Sequence, residues 1–521
     1  MKKIIAVILS IALISGALSI ASSAFDAKKI TPVILVSGLG AREYYKNYNT
    51  PDEYTVFPPA VNFKAVAKTS LDYIAKYTLT GDKENLSLMV ADILDSVFEQ
   101  LKCDENGDAK YPDVYTPTYP LSVDNYDFNY SEDVPEVAII GSLIDEIGAE
   151  NIYFYNYDWR LDPIENSADL KQYIERAKEQ TGSQKVTLVP CSMGGVQTMA
   201  YISQYGYDDI EKIVFMSSAH KGLVFVSELF KGNAYIEQKE LFTFLSRFLH
   251  IGDESTDSAV DFLFGICANS PYLKPVFDLL NGFARDITDE AVYDGLRRTI
   301  AGWPGMWSFV CSEDYDEARA FMTNEATSEK FLEKIDNYHN AVGKNIDSTL
   351  LEMNQNGVSV AVCSHYDRGI IPATTKSYCE GDYLIETVST SNGATVAKAN
   401  EVFPDGYIQS ADDGHNHLSC DKKIDASTCL FPDYTWFIKG MEHVGCPYKS
   451  EYGELALWLI TFDGQPTVYD NEKYPQFLQT DYTQMKLEPL APQSESTDLF
   501  AVIKLIFQFF VNIFNSITSS H

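Results

Sequence analysis

Apolar residues fall along this chain in short blocks, and their spacing changes from block to block. "PVILV" ends in Ser37-Gly38-Leu39-Gly40, the pattern of a buried strand over 33–36 entering a glycine-bearing turn. Residues 137–147 repeat apolar side chains at helical spacing, and 151–157 ("NIYFYNY") read as a strand. A helix over 167–181, a strand over 186–189, a helix to about 205 and a strand over 212–216 follow. Strands alternating with helices in this way predict an α/β fold, a mostly parallel sheet with helices on both faces. Two blocks break the alternation. Residues 45–135 are aromatic and proline-punctuated, with one helical stretch in "NLSLMVADILDSVFEQLK", and 221–345 are helix-like and rich in Phe and Leu. Both read as insertions. The second, with "KELFTFLSRFLHIG", is too apolar for a solvated loop and is expected to cap the top of the sheet. Alternation returns at "GVSVAVCSHYDRGIIP" and "YTWFIKGMEHVGCP", before the helix-like "EYGELALWLITF".

The two ends follow other rules. Lys2 and Lys3 precede an apolar run from Ile4 to Ile20 and small residues before Phe25, so residues 1–24 read as an export signal, with an uncleaved membrane anchor the alternative because the apolar run is long. The main domain is expected over 25–485, and 486–521 as a linker with an amphipathic helix. In that tail Leu499–Ile517 approaches the length needed to cross a bilayer's apolar layer of about 30 Å. Yet Lys504, Gln508, Asn512, Asn515 and Ser516 share one side, and a central lysine costs about 2.5–3.5 kcal/mol to insert. A helix lying in the membrane interface exposes that stripe without the penalty; docking on the chain's own body or a second subunit is the alternative. The location expected is secreted or cell-surface. Nothing in the pattern specifies an oligomeric state.

Composition narrows the partners. The 521 residues carry a net charge of −34, with 45% hydrophobic residues, ample for a large core. Such a surface repels polyanions, so nucleic acid is not an expected partner, and anionic lipid is disfavoured too. Nine cysteines show no CxxC pair and no metal-ligand spacing with histidine. Cys420, Cys429 and Cys446 cluster without specifying a pairing, and the odd count leaves at least one free thiol unless it pairs between chains; Cys191 is the candidate.

The chemistry centres on "VTLVPCSMGGVQTMAYI". A serine hydroxyl becomes a nucleophile only with a base, a group that orients the base, and donors for the oxyanion. Ser192 lies between a strand and a helix with Gly194 two residues on, the frame of the α/β-hydrolase nucleophile elbow, although Pro190 replaces that motif's first glycine. The oxyanion donors expected are the N–H of Met193 and that of Leu39, in the turn after the first strand. Gly38 beside it is assigned to substrate binding. No metal and no organic cofactor is expected.

"PVILVSGLG", "YNYDWRLDP" and "GDYLIETVS" occur in the order seen in the lecithin:cholesterol acyltransferase family, which the chain resembles from about 31 to 460. That family includes lysosomal phospholipase A2 and the phospholipid:diacylglycerol acyltransferases. The resemblance implies an α/β-hydrolase fold with a lid, acting on lipid or other acyl esters. It sets Asp382 at the acid of the family's G-D-G-T-V segment, whose second Gly and Thr are absent here; Asp367 is the rival. The order Ser, acid, His leaves His415, His417 and His443, which follow Asp382, as bases, His521 being terminal. His443 follows a strand and precedes the last helix; His417, in the polar "DGHNH", is its rival and sits in a loop or a weak metal site. The resemblance also implies that Trp159 lines the substrate site, against a role in core packing beside Arg160. A non-catalytic surface-binding protein on a hydrolase scaffold is the alternative reading, and a peptidase on the same fold a third.

Overall fold

The computed structural model describes residues 31–59, 84–129, 135–233, 295–374, 379–399, 401–443, 451–481 and 486–492, with scattered positions at 68–82 and 235–274. The export signal, the tail helix and most of "KELFTFLSRFLHIG" lie outside the described residues.

Eight strands build one sheet: β1 (Val33–Val36), β2 (Ile152–Tyr155), β3 (Val186–Pro190), β4 (Ile210–Met216), β5 (Ser359–Tyr366), β6 (Thr435–Lys439), β7 (Phe477–Asp481) and β8 (Lys486–Pro489). Their spatial order is β8-β7-β6-β5-β4-β3-β1-β2, and every pair is parallel except β7 with β8. This order, with a strand–turn–helix after β3, is that of an α/β-hydrolase.

Side chains alternate across the strands, which sorts the core into two layers. Val33 and Leu35 pack with α2 (Pro135–Ile147) and α10 (Glu451–Thr461). Ile34 and Val36 face the opposite way, toward α3 (Pro163–Thr181) and α4 (Gly194–Tyr205). All four β1 side chains are buried, each stabilising by about 1.5–3 kcal/mol. Lys212, buried on β4, donates to the Leu459, Ile460 and Phe462 carbonyls at 2.8, 3.2 and 2.6 Å, satisfying the carbonyl end of α10.

The insertions hold structure of their own. The described part of 45–135 contributes α1 (Glu84–Phe98) and most of a small sheet of Tyr54–Phe57, Tyr44–Lys46 and Val114–Tyr115. The described part of 221–345 holds α5 (Val224–Phe230), α6 (Pro304–Trp307), α7 (Tyr315–Met322) and α8 (Glu329–Ala341), which pack on the α3/α4 layer. α9 (Ile346–Gln355) then leads into β5. Among the described residues no helix is long and apolar enough to cross a membrane.

Two boundaries differ from the sequence reading. α3 starts at Pro163 rather than 167: the Asp162 carboxylate accepts the Ile164 N–H at 2.9 Å and Pro163 occupies the first helical position, so the cap outranks the apolar spacing. The domain does not end at 485. Lys486–Pro489 is the antiparallel edge strand β8, burying only Leu487, and a charged four-residue edge gives little hydrophobic signal.

Candidate active site

β3 ends at Pro190, in register with Val36 of β1, and the chain turns at once into α4. Ser192 occupies that turn with φ of 49°, a left-handed conformation costing a non-glycine residue about 1–2 kcal/mol. Its surroundings hold it there. The Ser192 N–H donates to the Met216 carbonyl at 3.4 Å, and the Ser192 carbonyl accepts from Ala219 at 2.9 Å. The two glycines that follow are steric necessities. A Cβ on Gly194 would lie 2.1 Å from the Val36 carbonyl oxygen, and one on Gly195 1.8 Å from Ser218 Oγ.

Above this elbow the loops after β5 and β6 converge. His443 lies four residues past β6, and its backbone N–H donates to the Asp382 carbonyl at 2.9 Å. Its Nδ1 is 2.8 Å from Asp382 Oδ2 and its Nε2 2.9 Å from Ser192 Oγ. A carboxylate accepts, so Nδ1 carries the proton and Nε2 presents its lone pair to the serine hydroxyl. Asp382 is fully buried; Oδ1 accepts from the Leu384 and Ile385 N–H groups at 3.1 and 2.7 Å, and Oδ2 from Ser217 Oγ at 2.5 Å. Burial pushes this carboxyl up, but His443 and the other donors outweigh it and hold the acid at about 2.

The departures from G-D-G-T-V have a visible geometry. Tyr383, in place of the second glycine, has φ of 83°, a conformation glycine adopts freely. Arg368 lies over its ring at 5.8 Å. Gly381 is retained where a Cβ would meet Ile370 Cδ1 at 2.2 Å and the Ile385 carbonyl at 2.6 Å.

The rivals lie elsewhere. Asp367 is paired with Lys423 and sits 3.8 Å from Lys439. His415 and His417 belong to a separate cluster at the start of β6. Gly38 is buried and Leu39 exposed in the turn after β1, and Met193 stands at the head of α4. Among the described residues neither the Leu39 nor the Met193 N–H has a partner. Trp159 is buried in an aromatic cluster with Tyr44, Phe57 and Trp303 at 5.4–5.5 Å, and its indole N–H has no partner among the described residues. Arg160 beside it pairs instead with Asp158, at 2.9 and 2.6 Å. The cap closes on this region: a Cβ on Gly305 would lie 2.0 Å from the Trp159 carbonyl and 3.1 Å from Met193 Cε. The seven described cysteines, Cys191, Cys420 and Cys429 among them, are thiols; Cys446 lies outside the described residues.

Sequence reasoning missed three supporting groups. Ser217, just after β4 with φ of 43°, holds Asp382. Glu386 accepts the Val224 and Phe225 N–H groups at 3.0 and 2.9 Å, joining the acid-bearing loop to the first cap helix. His365 is fully buried with Nε2 2.8 Å from the Tyr452 hydroxyl, and burial depresses it to about 4. Ser217 alone left a trace, in "MSSAHKG" at the carboxyl end of a strand, where open α/β sheets assemble their sites.

Residues 144–234, which span the elbow, match the family model described as lecithin:cholesterol acyltransferase. Over that stretch the chain is similar to a family of acyl-transferring enzymes. No curated protein matches it. Among solved structures, a chain of "The crystal structure of Tle4-Tli4 complex" is 12% identical, with 65% of this chain and 75% of that chain covered and a TM-score of 0.23.

Proposed function

We propose that this protein is a serine hydrolase of lipid or other acyl esters. The observation that carries the reading is the unbroken hydrogen-bonded path from Ser192 Oγ through His443 to Asp382. His443 Nε2 takes the hydroxyl proton as Oγ attacks the ester carbonyl, and Asp382 stabilises the imidazolium that forms. The N–H groups of Leu39 and Met193 receive the oxyanion. Collapse of that intermediate expels the alcohol, which leaves with the proton from Nε2, and an acyl-serine remains. A second alcohol or water then repeats the sequence in reverse: its proton goes to Nε2, its oxygen bonds the acyl carbon, and Ser192 Oγ regains its hydrogen. Water is the default acceptor.

The lipid-acting specificity rests on the family similarity over 144–234 and on the apolar cap packed beside the elbow. Gly38 and Trp159 are assigned to the substrate's approach. Export through residues 1–24, and peripheral membrane contact through the tail, complete the proposal.

A fluorophosphonate probe tests the nucleophile: Ser192 labels, and Ser192→Ala does not. A panel of soluble esters and phospholipids, with products identified, then assigns donor and acceptor. Failure to label the folded chain would leave a binding protein on a hydrolase scaffold.

A further inference from the structure

Far from the elbow, "DGHNH" meets the residue two positions before β6. Asp413, His415, His417 and Asp433 each offer one ligand atom, and all four atoms lie within 4.8 Å of one another. His417 is fully buried, and its Nε2 lies 2.9 Å from Asp413 Oδ2 and 3.7 Å from Asp433 Oδ1. His415 Nδ1 lies 3.9 Å from an oxygen of each aspartate.

The tautomer of His417 is set from outside the cluster. Gln476 donates its amide hydrogens to the Pro432 and Thr435 carbonyls, at 2.6 and 3.3 Å, so its Oε1 is turned to accept. That oxygen is 2.9 Å from His417 Nδ1, which therefore carries the proton. In the neutral ring, Nε2 then aims a lone pair at a carboxylate oxygen. Two acceptors at that distance repel unless a cation lies between them, a second proton or a metal ion.

We propose that the cation is zinc, held by Asp413, His415, His417 and Asp433 as a structural site. Two imidazoles and two carboxylates make a four-coordinate N2O2 set, and the two aspartates neutralise a dication. Tetrahedral zinc with ligands at about 2.0–2.1 Å sets them about 3.3 Å apart; the His–Asp distances here are 2.9–3.9 Å, and one ligand atom from each of the four residues lies within 4.8 Å of the others. Imidazole ligands favour zinc over calcium or magnesium. Gln476 behind His417 is the partner that fixes the tautomer and orientation of a ligating histidine. The Tyr469 hydroxyl, 2.8 Å from Asp433 Oδ1, supports a carboxylate likewise.

The position makes the role structural. Asp433 precedes β6 and His443 follows it, so the five strand residues, at about 3.3 Å each, separate the metal from the base. Zinc there fastens the loop over 401–434 and the segment around 468–476 to the foot of the strand whose far end delivers His443.

The test uses the full chain purified without chelator. Elemental analysis returns one zinc per chain, and Co2+ added to the stripped protein gives the visible bands of a tetrahedral centre. Zinc raises the melting temperature of stripped protein by a few degrees. His415→Ala and Asp413→Asn change exposed ligands, keep the fold, and lose the stoichiometric metal, the cobalt bands and the zinc-dependent shift. If instead the full chain holds well under one equivalent and zinc leaves its melting unchanged, the cation is a proton and the proposal is overturned. If both variants keep full metal binding, the ion lies elsewhere and the assignment fails.

Discussion

Ser217 Oγ donates to Asp382 Oδ2 at 2.5 Å, the same oxygen that meets His443 Nδ1. One carboxylate oxygen thus serves two donors, while its twin takes two backbone N–H groups. Removing the hydroxyl leaves a buried charge less well satisfied. A hydrogen bond to a charged group contributes about 1.5–3 kcal/mol, only part of which is felt in the transition state. Ser217→Ala is expected to lower kcat for a soluble ester roughly tenfold with KM little changed, and to move the acid limb of the kcat profile to higher pH. An unchanged pH profile would show that Ser217 only packs.

Ser192→Ala and His443→Ala are expected to abolish ester cleavage to a similar degree, on the order of 10⁶ in turnover, because such groups act as a unit. The double variant is hardly worse than either single one. His415→Ala keeps its activity, since that ring sits in the Asp413–Asp433 cluster. Near-normal rates for His443→Ala would sink the mechanism.

Gly194→Ala tests the elbow rather than the chemistry. The added methyl meets the backbone oxygen of Val36 at 2.1 Å, and a strand carbonyl in the sheet's centre has nowhere to move. A loss of about 3 kcal/mol or more is expected in denaturant unfolding. Gly406→Ala, where a Cβ would meet nothing within 4 Å, tests backbone strain alone at its φ of 80° and should cost less.

Two buried carboxyls give opposite pH slopes. Burial drives Glu386 up to about 7 from its usual 4.5, against the N–H groups that favour its charge. A raised folded value means its contribution is complete below about 4.5 and is lost as pH rises through about 7. Asp382, lowered from 3.8 to about 2, contributes above its unfolded value and loses that contribution as pH falls through about 2. Melting temperature measured from pH 4 to 8 should therefore decline less in Glu386→Gln than in the parent chain. Equal slopes in the two proteins would remove Glu386 from the account.

What the sequence disclosed, and what it hid, divides by range. β1, β3 and β4 were legible because β-branched runs bounded by turns are local signals, and Ser192 because its flanking strand and helix lie within a dozen residues. His443 is marked as a candidate by its place after "TWFIKG". Tyr383 marks where the family pattern loosens, since the backbone keeps the left-handed turn without the glycine. The start of α3 departs from the apolar spacing because the Asp162-Pro163 cap, not that spacing, sets the first turn. β8 was missed because a short charged edge strand looks like a linker. The pairing of Asp433 with "DGHNH", and of Glu386 with α5, are meetings across the fold that leave no mark on either segment alone.

The hydrogen bond between Ser192 and His443 spans 251 residues of chain. Contacts that distant are formed only after the intervening segments have found their places, because each loop must close before its contact rewards it. A chain made as far as β4 already has its elbow and its glycines, yet no base. The bond to Ser217 cannot form until the loop after β5 arrives, and the imidazole comes only when β6 has joined the sheet. The Ser192–His443 bond therefore forms only after β6 has docked, with β7 and β8 still to follow in the chain. Labelling of that serine, sampled during refolding, would time the docking of β6 onto β5.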